Sequence, residues 1–195
     1  MFGKKRISKV QFIALGFLII IITGTILLML PVSSRDGQAT GFLDALFTAT
    51  SASCVTGLVV VDTYSHWSLF GQIVIICMIQ VGGLGFISLG VLLALMLRRR
   101  VSLRHRGLMQ ESVNTLQIGG IVRLTKKMLI GTLIFEGIGA IILAVRFSFM
   151  MSPARAVFYG IFHSISAFCN AGFDLLGCYG EYNSLCGFEG DWTIN

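Results

Sequence analysis

The segments of this chain whose residue types could best bind a ligand are two glycine turns. They are Val-Thr-Gly at 55–57 and Asn-Ala-Gly at 170–172. Glycine lacks a Cβ, so it adopts backbone conformations that turn carbonyl groups in directions other residues avoid. A set of carbonyl oxygens can replace the water around an alkali cation. Asp174 is the one formal charge beside either turn, which favours a carbonyl-lined cation site over an anion site. The candidate site residues are Val55, Thr56, Gly57, Asn170, Ala171 and Gly172.

The stretches that lead into these turns are related by a constant spacing. Residues 42–58 align with residues 157–173 at an offset of 115, and five of the seventeen positions are identical. The identical pairs are Phe47/Phe162, Ser51/Ser166, Ala52/Ala167, Cys54/Cys169 and Gly57/Gly172. The same offset carries the apolar run 10–30 onto 125–145, a second apolar run. One offset therefore aligns two successive segments, which indicates a duplicated unit.

Each copy of the unit is expected to contain a membrane span, a short helix, a glycine turn, an extended return and a second span. A short helix of about 14 residues would be roughly 20 Å long and would reach halfway through a bilayer. Ser152 and Pro153 have the types expected at an N-cap and a first helical position. Asp44 suits the first turn of the other short helix. Nonhelical backbone at membrane depth is tolerated where protein buries it or where it lines a watery path.

The composition indicates an all-α integral membrane protein. Hydrophobic residues make up 55% of the chain and charged residues 12%, with a mean hydropathy of +0.84. Residues 10–30 would form a helix of about 31 Å, enough to span a bilayer. Residues 67–97 carry no charge and are longer than one straight span needs, so we expect them to tilt or to extend beyond the membrane. Residues 128–145 form a third apolar run, which should begin near Thr125.

The basic residues predict the orientation. Of the fifteen Lys and Arg residues, twelve lie in residues 1–9 and 98–127. The positive-inside rule places both segments, and thus the N-terminus, in the cytoplasm. The net charge of +6 is therefore interpreted as a topology signal and not as nucleic-acid binding. The segment 98–127 could also dock a partner or bind anionic lipid.

Glu136 and His163 are ionisable residues within apolar stretches. Glu136, in the third apolar run, is a candidate for function because a charge in lipid is costly. We favour a structural role, as a carboxyl buried and hydrogen-bonded against another helix. His163, in the second short helix, is expected to be packed and hydrogen-bonded and not to bind a metal.

Small and polar residues elsewhere have structural interpretations too. The glycines at 82, 83 and 85 favour close helix packing, with a gating hinge as the alternative. Ser51 and Ser166 are expected to cap backbone around the turns. The five cysteines form no CxxC pair and have no zinc spacing. Cys178 and Cys186 could form a disulfide or remain ordinary thiols.

Several segments together resemble a known family. The relevant segments are SASCVTGL (51–58), VGGLGF (81–86), RRRVSLRHRGLMQESVN (98–114), LIFEGIGAIILAVRF (133–147) and SAFCNAGFD (166–174). They resemble the Trk/Ktr/HKT superfamily of potassium transporters, and most of all the bacterial KtrB membrane subunits. The resemblance covers essentially the whole chain.

This resemblance implies four span–pore helix–span repeats around a central pore, with one filter glycine from each repeat. Gly57 and Gly172 would then be the filter glycines of the first two repeats. It implies potassium uptake, often sodium-coupled or sodium-stimulated, in a bacterial cell membrane. It also implies a homodimer that binds a cytosolic ring of RCK-type nucleotide-binding (KtrA-like) subunits. No enzyme activity and no cofactor other than the transported K⁺, and in some relatives Na⁺, is implied.

The expected organisation is a first repeat at 1–97, a basic cytoplasmic connection at 98–124 and an incomplete second repeat at 125–195. The chain stops at Asn195, truncated after the second pore loop. Two loops cannot close a fourfold filter, so we expect a fragment of a longer protein or a truncated gene product. Transport is then expected of the intact parent.

Two other functions are weighed against transport. One is a noncatalytic membrane interaction subunit that docks through its basic segment, or a non-functional fragment. The other is a membrane enzyme, for which His163 and Ser166, one helical turn apart, are the pair to test. No G-x-S-x-G, HExxH or paired-carboxylate pattern supports the enzyme.

Overall fold

The computed structural model describes residues 9–85, 121–182, 184–191 and 193–194. In this part of the chain the regular structure is almost entirely helical, with one isolated bridge between Ser34 and Trp67. The α-helices are α1 (Lys9–Met29), α2 (Phe42–Cys54), α3 (Thr63–His66), α4 (Leu69–Leu84), α5 (Ile121–Ser148) and α6 (Pro153–Phe168). Short 3-10 helices occupy Pro31–Ser33, Leu176–Tyr179 and Ser184–Phe188. The expectation of a mostly helical chain is confirmed for the described residues.

Two of the described helices are long and apolar enough to cross a membrane. They cover Val10–Met29 and Val122–Ser148, with mean hydropathies of 2.7 and 2.3. Only 17% of each apolar window is buried inside the protein, and many of the large apolar side chains of both helices are exposed. Surfaces of this kind need lipid or further protein to cover them.

The helix α5 begins earlier than the sequence pattern predicts. We expected a start near Thr125, but the helix starts at Ile121 and runs for 28 residues, or about 42 Å. Its first turns carry Arg123, Lys126 and Lys127, all exposed. Hydropathy marks only the apolar part of a helix, and long basic side chains let a helix continue beyond that part.

The helix α4 covers only part of the uncharged run 67–97. It starts after Ser68, whose hydroxyl accepts a hydrogen bond from the Gly71 N–H at 3.3 Å, and it ends at Leu84. Gly85 follows with φ of +73° and ψ of 130°, a backbone conformation that L side chains rarely adopt. Residues 86–97, and the basic connection as far as residue 120, lie outside the described residues.

The two short helices begin where the sequence predicts. Helix α6 has Ser152 at its N-cap and Pro153 at its first position, although the Ser152 hydroxyl makes no capping bond. Helix α2 follows Gly41 and has Asp44 in its first turn. With 13 and 16 residues, they are about 20 and 24 Å long.

The helices pack in two similar pairs that α4 connects. Helix α2 packs on α1, helix α6 packs on α5, and α4 contacts both α2 and α6. The core is lined by small residues of α2 and larger aliphatic residues of α4. Among its fully buried members are Ala45, Ala49, Ala52, Ile75 and Ile79. Small side chains let the helix axes approach closely, as is common in membrane bundles.

Candidate functional site: two facing glycine turns

The first glycine turn closes helix α2 with a Schellman motif. Val55 is left-handed, with φ of 58° and ψ of 44°. Its N–H donates to the Ala52 carbonyl at 3.4 Å, and the Thr56 N–H donates to the Ser51 carbonyl at 3.0 Å. These bonds satisfy carbonyls that the end of a helix would otherwise leave unpaired. The chain therefore leaves the helix in a fixed direction.

The second turn has the same backbone hydrogen bonds at the offset of 115. Asn170 is left-handed, with φ of 55°, and its N–H donates to the Ala167 carbonyl at 2.9 Å. The Ala171 N–H donates to the Ser166 carbonyl at 2.7 Å. The sequence correspondence between the two segments thus extends to the backbone of the turns.

Gly57 and Gly172 lie against each other. Their φ angles are +72° and +73°, a region that L side chains rarely adopt. A methyl group added at Gly57 would lie 2.6 Å from the Ala171 carbonyl oxygen. One added at Gly172 would lie 3.3 Å from the Gly57 Cα. The fold therefore brings the six candidate residues into two neighbouring loops, where Thr56, Asn170 and Gly172 are exposed and Ala171 is buried.

The two equivalent serines support the turns in different ways. The Ser166 hydroxyl donates to the Phe173 carbonyl at 2.6 Å, as predicted for a backbone cap. The Ser51 hydroxyl instead pairs with the Thr56 hydroxyl at 2.9 Å, so the prediction of a backbone cap is wrong for this side chain. The difference arises because Thr56 has a hydroxyl to offer and its equivalent, Ala171, has none.

His163 is a structural residue in this arrangement. It is buried, and its Nδ1 lies 2.8 Å from the Tyr159 carbonyl oxygen. The Leu175 N–H donates to Nε2 at 3.1 Å, so the ring proton is assigned to Nδ1. Backbone groups engage both ring nitrogens, which confirms the expectation of a packed, hydrogen-bonded histidine. Through Leu175 the ring also holds the segment that follows the second turn.

The C-terminal ends of the two short helices meet α4 at successive glycines. A methyl group on Gly82 would collide with the Ser53 carbonyl, and one on Gly83 would lie 2.5 Å from the Cys169 sulfur. The predicted close packing is confirmed at these two positions. Each helix terminus brings a partial negative charge to this region.

Glu136 is buried against another helix and hydrogen-bonded there, as expected. Its carboxylate accepts from the amide Nε2 of Gln80 on α4 at 2.9 and 3.0 Å. The Ser164 hydroxyl of α6 donates to the Glu136 backbone carbonyl at 2.7 Å. Sequence reasoning missed Gln80, although an amide within an uncharged apolar run was an available signal.

Asp62 was also missed. It is 8% exposed and receives backbone hydrogen bonds from Ser65 at 2.7 Å and from Tyr182 at 3.2 Å. Its place before Thr63 marks an N-cap in the sequence, but nothing in the sequence indicates the contact with residue 182.

The described residues contain no group of three or more His, Cys, Asp or Glu side chains that could hold a metal ion. Cys178 and Cys186 are free thiols in the structure, in agreement with the second of the two alternatives considered for them.

Comparison with known proteins identifies the family. Residues 7–190 match the model of the TrkH family, which is described as a cation transport protein. The chain belongs to the TrkH family. It is 44% identical over 174 residues to the potassium/sodium uptake protein NtpJ of Enterococcus hirae. The aligned region covers 89% of the chain and 39% of that protein. It is 42% identical to the Ktr system potassium uptake protein B of Bacillus subtilis, over 97% of the chain and 41% of that protein.

A third relative of this TrkH-family chain, the Ktr system potassium uptake protein B of Vibrio alginolyticus, is 42% identical over 98% of the chain and 41% of its own length. The predicted membership of the Trk/Ktr superfamily, with a KtrB-like sequence, is confirmed. The chain spans about two-fifths of the length of these curated relatives.

Proposed function

We propose that this chain supplies two selectivity-filter loops to a potassium-uptake pathway in a bacterial cell membrane. The named relatives are potassium or potassium/sodium uptake proteins. The filter residues are the backbones of Val55, Thr56, Gly57, Asn170, Ala171 and Gly172. A closed filter needs further loops, so uptake is a property of a longer protein that contains this chain.

The observation that carries the proposal is the contact between Gly57 and Gly172 at the ends of two helices that terminate in the same way. Helices α2 and α6 end in matching Schellman motifs, and each positive-φ glycine lies two residues beyond the left-handed residue of its motif. Carbonyl groups in such turns can replace the hydration shell of K⁺, and the helix termini add negative potential.

The wider organisation follows from the same proposal. Residues 1–97 form one span–pore helix–span unit and residues 125–195 form part of a second, with 98–124 as their cytoplasmic connection. The N-terminus is cytoplasmic, in keeping with the basic residues of 1–9 and 98–127. The assembly is a homodimer on RCK-type nucleotide-binding subunits, and sodium stimulates or couples to uptake.

The test uses the full-length gene in cells that lack potassium uptake. Gly57→Val places a branched side chain at positive φ and against the Ala171 carbonyl, so rubidium uptake should fall by at least about tenfold. Gly131→Val is the matched control, because a Cβ added at Gly131 in α5 meets nothing within 4 Å. Unchanged rubidium uptake and potassium preference in Gly57→Val would overturn the proposal and favour a noncatalytic interaction subunit.

A further inference from the structure

The two loops meet a second time, five residues beyond their glycines. Asp62 follows Gly57 by five positions, and Gly177 follows Gly172 by five. The two residues are therefore equivalent at the offset of 115, and they are in contact. A methyl group added at Gly177 would lie 2.5 Å from Asp62 Oδ2 and closer still to Oδ1.

The Asp62 carboxylate joins the segment after the first glycine turn to the segment after the second. Its Oδ1 accepts from the Ser65 N–H at 2.7 Å and so holds the first turn of α3. Oδ2 accepts from the Tyr182 N–H at 3.2 Å, 120 residues away in the loop beyond the second turn. The side chain is 8% exposed, so water competes little for these bonds.

The size and chemistry of this side chain both matter. A glutamate would extend the carboxylate by one methylene into the space that Gly177 leaves open. An asparagine could accept from only one of the two N–H groups, because its other terminus is itself a donor. The contact thus requires a short side chain with two acceptor atoms at position 62 and no side chain at position 177.

The position of this contact links it to the site. It joins the segments that leave the two turns, five residues beyond each glycine, so it opposes movement of these segments relative to each other. Discrimination between cations by carbonyl groups depends on the spacing and number of those groups.

We infer that Asp62 is a positioning residue that holds the two glycine turns at the separation required for potassium preference over sodium. The inference rests on the proposed function. Asp62 acts through the backbone of the loops and does not contact the ion.

The experiment measures rubidium uptake, and its inhibition by sodium, in cells that carry the full-length protein. Asp62→Ala and Gly177→Ala should each lower the preference for rubidium over sodium at least about threefold, with protein still present in the membrane. In the double variant the added methyl group meets the space that Asp62 vacates. Its preference should therefore equal that of Asp62→Ala alone.

Two variants serve as matched controls. Asp36→Asn changes an exposed carboxylate whose side-chain bonds go to Ser34 and Gln38 nearby. Gly190→Ala adds a methyl group that meets nothing within 4 Å. Both should retain the preference of the unmodified protein.

The outcomes distinguish a failure of the positioning role from a failure of the proposed function. If Gly57→Val abolishes uptake while Asp62→Ala and Gly177→Ala keep normal preference, the positioning role is refuted and the proposed function stands. The same holds if the losses of preference in Asp62→Ala and Gly177→Ala add in the double variant. If Gly57→Val has no effect, the proposed function itself fails. Should Asp62→Ala not reach the membrane, Asp62→Glu, which keeps the charge, must show the same loss of preference, and normal preference would refute the role.

Discussion

The amide nitrogen of Gln80 lies 2.9 and 3.0 Å from the two carboxylate oxygens of Glu136 and joins α4 to α5. Glu136 is 6% exposed, and Gln80 Oε1 is buried with no hydrogen-bond partner among the described residues. Each of these two polar side chains therefore depends on the other for its hydrogen bonds.

Glu136→Ala should destabilise the protein more than Glu136→Gln. Alanine leaves the buried Gln80 amide without a partner, at a cost of about 1–3 kcal/mol, whereas glutamine can still pair with it. Thermal unfolding of the purified full-length protein in detergent measures the difference. Equal unfolding temperatures for the two variants would mean that the pair does not stabilise the helix contact.

Gly57→Ala should impair uptake more than Gly172→Ala. Both substitutions place a side chain at positive φ, at a cost of about 1–2 kcal/mol. Gly57→Ala also brings a methyl group to 2.6 Å from the Ala171 carbonyl, whereas the nearest atom for Gly172→Ala is at 3.3 Å. Rubidium uptake by the two full-length variants, normalised to membrane protein, gives the order. The reverse order would contradict the way the turns face each other.

The sequence predicted local features of the fold better than contacts between elements. The start of α6 at Pro153 and the turns at Gly57 and Gly172 follow from residue types and one offset. The start of α5 was misplaced because basic side chains conceal the first turns of an apolar helix. The contact of Asp62 with Gly177 was not predictable, because a repeat indicates which residues are equivalent and not which ones meet.

His163→Ala should destabilise the protein, and chelators should not affect uptake. The substitution leaves the Leu175 N–H without its partner, at a cost of about 1–3 kcal/mol if water does not replace it, and removes the side-chain bond to the Tyr159 carbonyl. The unfolding temperature and rubidium uptake with and without EDTA provide the measurements. A loss of uptake in EDTA that His163→Ala abolishes would instead indicate a metal bound at this ring.

The ion pair between Arg146 and Asp191 should make the loop around Asp191 sensitive to acid. Arg146, in the last turn of α5, donates its Nε–H to Asp191 Oδ2 at 2.7 Å, and Thr193 donates to Oδ1. The Arg146 hydrogen bond, with those of Thr193, lowers the pKa of Asp191 from its ordinary 3.8 to about 2. Since the folded-state pKa is lowered, the stabilisation is present above pH 3.8 and is lost as the pH falls towards 2.

Pepsin cleavage within this loop, compared between the unmodified protein and Asp191→Asn at each pH, tests this dependence. Asp191→Asn should be cleaved faster at pH 4, and the difference should disappear near pH 2, where the carboxyl of the unmodified protein also becomes protonated. Glu189→Gln, at an exposed carboxylate two positions earlier, is the matched control and should behave like the unmodified protein at every pH. A difference between Asp191→Asn and the unmodified protein that persists unchanged at pH 2 would show that the charge of Asp191 does not hold the loop.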